Sequence, residues 1–267
     1  MMAVRTDATP TPELRIAGVT RRFGGLVAVA DVSLVVAGGR IHGLIGPNGA
    51  GKSTMISLIS GFLRPNSGSI VFDGHELTQL EASAIARLGV ARTFQRAAPL
   101  LGLSALENVT AGMHLHYRSW LGAVLLRLPA MRREARDHAE AARALLDRVG
   151  LADAAETPAG TLTFGELRFL EIARVLAMQP RVILFDEPAA GLNQPESQLL
   201  ATILRDLRHA GVGILLVDHD VPFVFDLCDE ITVMESGKVI ATGDPRQIYD
   251  DPRVRAAYLG DADEAAL

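Results

Sequence analysis

A chain of 267 residues suits one large domain or a domain with a smaller lobe, and 49% hydrophobic against 21% charged residues excludes a largely disordered protein. A net charge of −5 argues against a nucleic-acid partner, because such binders more often carry a basic excess. Cys228 is the only cysteine, so no disulfide forms within the chain, as suits a reducing compartment.

Residues Met1–Arg15 hold charges and prolines but no apolar core of the kind a secretion signal needs, and residues 1–12 read as a disordered tail. Short β-type runs follow at Leu14–Val19, Leu26–Val29 and Val32–Val36, separated by Gly24-Gly25 and closed by Gly38-Gly39. Ile41–Ile45 leads into a glycine-rich turn, and a helical pattern then runs from Lys52 to Phe62. Ser69–Phe72 with Asp73-Gly74 predicts a strand and a turn. From about Ala82 to Ala159 alanine and arginine become frequent and helical spacing dominates. Ala135, Ala139, Ala142, Leu145, Leu146 and Val149 fall on one face. The β/α alternation returns with a strand at Val182–Phe185, a helix over Ser197–His209 and a strand at Gly213–Val217. A further helix, a strand at Ile231–Met234 and a hairpin at Ser236-Gly237 complete it. The whole predicts an α/β core with a helical insertion. The longest apolar run, Trp120–Leu128, is far shorter than the roughly 18 residues of a membrane-spanning helix.

Between the strand at Ile41–Ile45 and its helix stand Gly46, Pro47, Asn48, Gly49, Ala50, Gly51, Lys52 and Ser53, which fit the P-loop pattern. Glycines here let backbone amides face phosphates. Lys52 reaches the β- and γ-phosphates, Ser53 offers a hydroxyl to Mg²⁺, and the helix start adds its positive end. Thr54 completes the candidate nucleotide-contact set. The second half of the site is Val182–Phe185 followed by Asp186 and Glu187. An apolar strand ending in acid reads as a buried parallel strand whose carboxyl end meets ligand. Asp186 is the candidate Mg²⁺ residue, and Glu187 is placed to polarise an attacking water.

Further motifs follow in a telling order. Gln95 stands in Arg92-Thr93-Phe94-Gln95, and Leu162-Thr163-Phe164-Gly165-Glu166 precedes a helical run to Ala177. Pro188 to Asn193 follows the acidic pair, and His219 stands in Val217-Asp218-His219-Asp220. In this order the chain resembles the ATPases of ABC transporters from about Leu14 to Gly260. The resemblance implies a P-loop NTPase fold of the ABC ATPase type, with an antiparallel β lobe and a helical subdomain. One domain is expected over 13–260, its helical subdomain at about 88–165, with a tail at 261–267.

The resemblance also implies roles. Gln95 matches the Q-loop glutamine, which touches Mg²⁺ or water as well as the transport partner. His219 matches the switch histidine, and Phe23 stands where the family stacks adenine. Thr163 and Gly165 match signature residues that contact ATP held by a second subunit. The catalytic set is then Glu187, His219 and Gln95, the metal set Ser53, Gln95 and Asp186, and the cofactors ATP and Mg²⁺. The implied partners are an integral-membrane permease, a second ABC ATPase subunit (related or identical) and, indirectly, a substrate-binding protein. The implied location is the cytoplasmic face of the cell membrane, as a peripheral subunit.

Departures from the usual Leu-Ser-Gly-Gly-Gln signature are Thr163, Phe164 and Glu166, and Asn193 replaces the usual D-loop aspartate. An aromatic at 164 and an asparagine at 193 are familiar in the branched-chain amino acid branch. Glu166 puts a negative charge near the partner's nucleotide, where it either weakens binding or faces solvent. The ending, Gly243 to Tyr249 and Asp251 to Gly260, also resembles branched-chain amino acid importers. Lipopolysaccharide-export and urea-import ATPases share much of it, and a non-transport ABC protein is the remaining alternative. Trp120, Leu121, Val124, Leu125 and Leu128 recur at helical spacing. They either pack within their own lobe or join Ala97–Leu101 in receiving a permease helix.

Overall fold

A computed structural model describes residues 11–93, 99–113 and 129–259, with side chains over 135–257 in the last stretch. Residues 1–10 of the expected disordered tail, the tail at 261–267, Gln95 and the stripe from Trp120 to Leu128 lie outside the described residues.

Two sheets organise the chain. The first is antiparallel, in the order β2-β1-β4-β5, with β1 Glu13–Phe23, β2 Leu26–Ala37, β4 Ser67–Phe72 and β5 His75–Glu76. The runs expected as separate strands at Leu26–Val29 and Val32–Val36 form the single strand β2. Asp31, at φ 56°, kinks it, and the β1–β2 register shifts between Val19 and Arg21.

The second sheet has the order β10-β9-β3-β8-β7-β6. Its strands are β3 Ile41–Ile45, β6 Val90–Arg92, β7 Val182–Asp186, β8 Gly213–Val217, β9 Glu230–Glu235 and β10 Lys238–Gly243. The strands from β9 to β6 run parallel, and β10 turns back antiparallel through Ser236-Gly237. β6 departs from the helical reading of its segment. It pairs with β7, Arg92 opposite Leu184, so the sheet continues to the edge of the Q-loop segment.

Both faces of this sheet are covered, which explains its unbroken apolar runs. Ile183, Phe185, Ile214 and Leu216 face one core, and Leu184, Leu215 and Val217 face the other. The second core is shared with the antiparallel sheet and with helix α1 (Lys52–Ile59) through Met55 and Ile56. α1 ends earlier than the sequence pattern suggested, because Gly61 takes φ 76° and the Phe62 N–H turns back to Ser57 O. α2 (Ala82–Arg87) follows.

The first core joins the sheet to a helical group. It contains α3 (Ala105–Gly112), α4 (Pro129–Arg148) and α5 (Phe164–Ala177). On α4 the expected face is realised at Ala142, Leu146 and Val149, whereas Ala135 is exposed. Helices α6 (Gln194–His209) and α7 (Val221–Leu227) also pack on this core, and α8 (Pro245–Asp250), a short helix at Pro252–Val254 and a π-helical turn at Arg255–Leu259 end the described fold. Gly43 allows α7 its seat: a Cβ there would lie 2.9 Å from Val224 Cγ1 and 3.0 Å from Cys228 Sγ.

Candidate active site

The turn after β3, the start of α1 and the carboxyl end of β7 meet at one edge of the parallel sheet, where open α/β sheets take their ligands. A cleft of about 480 Å³ opens there, lined by Phe23, Leu26, Asn48–Thr54, Glu187 and Ser236 among others. Gly46 is required by packing, since a Cβ would run into the Met234 carbonyl oxygen of β9. The Gly237 N–H donates to Ala50 O at 3.0 Å, and the Ala30 N–H donates to Gly237 O at 2.8 Å. The loop is thereby fixed to the β9–β10 turn and to β2.

Gly51 is the N-cap of α1, at φ 103°. No side chain caps this helix and no acidic residue stands in its first turn. Its end therefore presents bare N–H groups and positive potential to an anion. Lys52 is 7% exposed, and its Nζ donates to Gly46 O at 2.6 Å and Pro47 O at 3.0 Å. Burial pushes the Lys52 ammonium below its ordinary range, and the nearby Glu187 and Asp186 carboxylates oppose that shift.

Asp186 is fully buried. Its Oδ2 accepts from the Arg92 guanidinium at 2.9 Å, and among the described residues its Oδ1 has no hydrogen-bond partner. A buried carboxylate oxygen left open is costly unless a ligand completes it. With the exposed Ser53 hydroxyl on the cleft, this oxygen donor set fits Mg²⁺, which takes few protein ligands and several from phosphate and water. Among the described residues no cluster of three His, Cys, Asp or Glu side chains could hold a metal.

Glu187 lines the cleft at φ 50°, in a region uncommon for non-glycine residues. Its N–H donates to Val217 O at 2.7 Å, which holds the turn against β8. Beside it, at the end of β8, stands Asp218, a residue the sequence reading quoted without giving it a role. Asp218 is fully buried. Its Oδ1 accepts the His219 and Asp220 N–H groups at 2.8 and 3.0 Å, and its Oδ2 accepts the Ala189 N–H at 3.1 Å. One carboxylate thus ties the switch turn to the segment after Glu187. The available signal was that β8, like β7, is an apolar run ending in Asp. The His219 ring is 60% exposed, with Nδ1 3.6 Å from Asp218 Oδ1.

Phe23 sits on the cleft rim, 42% exposed, with the Arg21 guanidinium 4.6 Å from its ring centroid. A purine stacking there uses the other ring face or displaces Arg21.

Thr163 and Gly165 are not among the residues lining this cleft. Thr163 caps α5, and the Glu166 carboxylate accepts from the Thr163 N–H at 2.7 Å and hydroxyl at 2.8 Å. Of the two expectations for Glu166, neither describes its first bonding: within this chain it is tied back into a capping box. Phe164 is exposed and lies over Gly191, whose added Cβ would stand 2.8 Å from the ring. A Cβ on Gly165 would collide with Glu196 Oε1.

P-loop, uncapped helix and paired acidic strand end define a P-loop nucleoside triphosphatase. Comparison with known proteins narrows this. The family model described as ABC transporter matches residues 29–190, and one described as branched-chain amino acid ATP-binding cassette transporter matches residues 238–264. The high-affinity branched-chain amino acid transport ATP-binding protein BraF of Pseudomonas aeruginosa is 42% identical over 252 residues, 94% of this chain and 99% of that protein. Its counterpart LivG of Escherichia coli is 40% identical over the same shares. A crystal structure of an ABC transporter's ATP-binding cassette in its ADP conformation superposes with TM-score 0.80 at 30% identity, over 94% of this chain and 99% of that one. The chain belongs to the ATP-hydrolysing, ATP-binding subunits of the ABC transporter family. Among the described residues no helix is long and apolar enough to cross a membrane.

Proposed function

We propose that this chain hydrolyses MgATP to drive import of branched-chain amino acids through a membrane permease, acting as a peripheral subunit on the cytoplasmic face. The observation that carries the substrate class is the match of residues 238–264 to the branched-chain cassette model, together with the near full-length identity to BraF. The permease and a substrate-binding protein that feeds it are the implied partners.

The chemistry follows from the cleft. The amides of Gly49 to Ser53 and the α1 start bind the phosphates, and Lys52 exchanges its loop carbonyls for β- and γ-phosphate oxygens. Asp186 and Ser53 would hold Mg²⁺, with Gln95 as the family's third contact; the ion neutralises charge on the phosphates when bound. Glu187 accepts a proton from water as its oxygen attacks the γ-phosphorus and the bond to the ADP oxygen breaks. His219 reaches the γ-phosphate from the β8 end, and Phe23 supports the base. Thr163 and Gly165 act on ATP held by a second cassette, as the family resemblance implies. A heterodimer with a related ATPase is our first reading of that pair, and a homodimer the second.

The test is reconstitution with the co-purifying permease and binding protein in vesicles. ATP-dependent uptake of labelled leucine, isoleucine or valine is expected, and it should vanish with Glu187→Gln. Hydrolysis stimulated by the permease without uptake of any of the three overturns the substrate class and leaves the ATPase reading intact.

A further inference from the structure

Arg92 lies at the end of the short strand β6 and reaches Asp186, the end of α1 and Phe62. One guanidinium nitrogen donates to Asp186 Oδ2 at 2.9 Å. The other lies 3.2 Å from Ser57 Oγ and 3.5 Å from Ser60 Oγ, on the last turn of α1 and its C-cap. Its guanidinium also lies 5.8 Å from the centroid of the exposed Phe62 ring. Thr93, the next residue, donates its N–H to Leu184 O, and its hydroxyl accepts the Asp186 N–H at 3.3 Å. The end of β6 therefore grips Asp186 by backbone and by side chain.

We infer that Arg92 is the positioning residue of the metal site: it occupies Asp186 Oδ2, leaves Oδ1 as the metal-facing oxygen, and locks both to the helix that carries Lys52 and Ser53. This rests on the nucleotide and Mg²⁺ reading above. A fully buried carboxylate needs a counter-charge, and Lys52 cannot supply it alone, because two of its three N–H donors already go to loop carbonyls and it turns to the phosphates in the bound state. The planar guanidinium meets a carboxylate on one side and two hydroxyls on the other. A lysine, a single point of charge, cannot hold both at once.

The test separates metal from nucleotide. ATP affinity is measured in EDTA, and Mn²⁺ affinity in the ATP complex is measured by electron paramagnetic resonance. Arg92→Gln is expected to weaken Mn²⁺ binding at least tenfold while metal-free ATP affinity changes less than threefold. Arg92→Lys should recover part of the metal affinity, and Ser57→Ala with Ser60→Ala should lose a smaller part, about threefold. Should Arg92→Gln not fold, Arg92→Lys and the serine pair decide by the same two readouts. Unchanged Mn²⁺ affinity in these variants, or equal loss of metal and metal-free nucleotide, overturns the inference. Asp186→Asn is the control. If it retains Mn²⁺ affinity, the Mg²⁺ reading itself fails. If it loses the metal while the Arg92 variants do not, only the role of Arg92 fails.

Discussion

Helix α1 starts at Gly51 with no side-chain cap and no acid in its first turn; helix α5 starts at Thr163 with a complete capping box closed by Glu166. Three other helix starts, at Ser104, Asn193 and Asp244, carry the same reciprocal box as α5. Among the described helix starts the short α2 also lacks a side-chain cap, but of the two bare starts α1 is the one that opens on the cleft. An uncapped start costs about 1 kcal/mol relative to a good cap, and a bound phosphate recovers it. The signature end is different. There the Thr163 N–H and hydroxyl and the Glu166 N–H are committed within the chain, so on the proposed pairing a partner's nucleotide meets a carboxylate already in place.

The largest effects are expected at the bare end. Glu187→Gln keeps the shape of the cleft and removes the proton acceptor, so turnover should fall by about 10²- to 10⁴-fold while ATP still binds. Phosphate release and equilibrium nucleotide binding check the two halves of that statement. Lys52→Met should weaken ATP binding roughly ten- to a hundredfold, the worth of a charge-assisted hydrogen bond or two. Its effect on the empty chain has the opposite sign. Burial lowers the Lys52 pKa, so the charged ammonium works against the nucleotide-free fold. That penalty is full below the folded pKa and fades as pH rises toward the ordinary 10.5. Nucleotide-free Lys52→Met should melt higher than the parent at pH 7, by a margin that shrinks at higher pH. A lower melting temperature at pH 7 would contradict the burial argument.

The bare end was also the more legible one. Gly46 to Ser53 and Asp186-Glu187 announce themselves because phosphate chemistry requires those residue types in contiguous order. What escaped the sequence reading depends on contacts across the fold. Val90–Arg92 is three residues long in an alanine- and arginine-rich stretch, and only its pairing with β7 makes it a strand. Asp218 and Arg92 gain their roles from elements about 30 and 90 residues away, on which local pattern is silent. Glu166 is the exception. Thr163-Phe164-Gly165-Glu166 is itself a capping-box pattern, and its reading as a departure from a signature obscured the local one.

At the capped end the expected effects are smaller and bear on the joint between α5 and α6. Gly165 is buried, and a Cβ there would strike the Glu196 carboxylate, which accepts from the Asn193 N–H at 2.8 Å to close the α6 box. Gly165→Ala should displace that carboxylate and cost the cap, about 1 kcal/mol, or roughly 2–4 °C in melting temperature. Glu196→Gln, which keeps a capping oxygen, should cost less. If Gly165→Ala melts with the parent, Glu196 moves aside freely and the two helix starts are not mechanically joined.

The smallest effect tests the comparison most directly, because it separates the stability of α5 from its use by a partner. Glu166→Gln retains an oxygen for the Thr163 N–H and removes the charge. A carboxylate in the first turn of a helix is worth about 0.3–1 kcal/mol to that helix, so the variant should melt slightly lower. The same charge opposes a triphosphate brought up by a second cassette, so its removal should favour ATP-driven pairing, by roughly two- to fivefold. The measurement is size-exclusion chromatography across an ATP titration in the hydrolysis-deficient Glu187→Gln background, with and without Glu166→Gln. Lower melting temperature with tighter pairing shows that the cap and the partner's phosphate compete for one helix start. Lower melting temperature with unchanged or weaker pairing shows that the capping carboxylate stays in place in the assembled pair, its charge absorbed by the partner subunit.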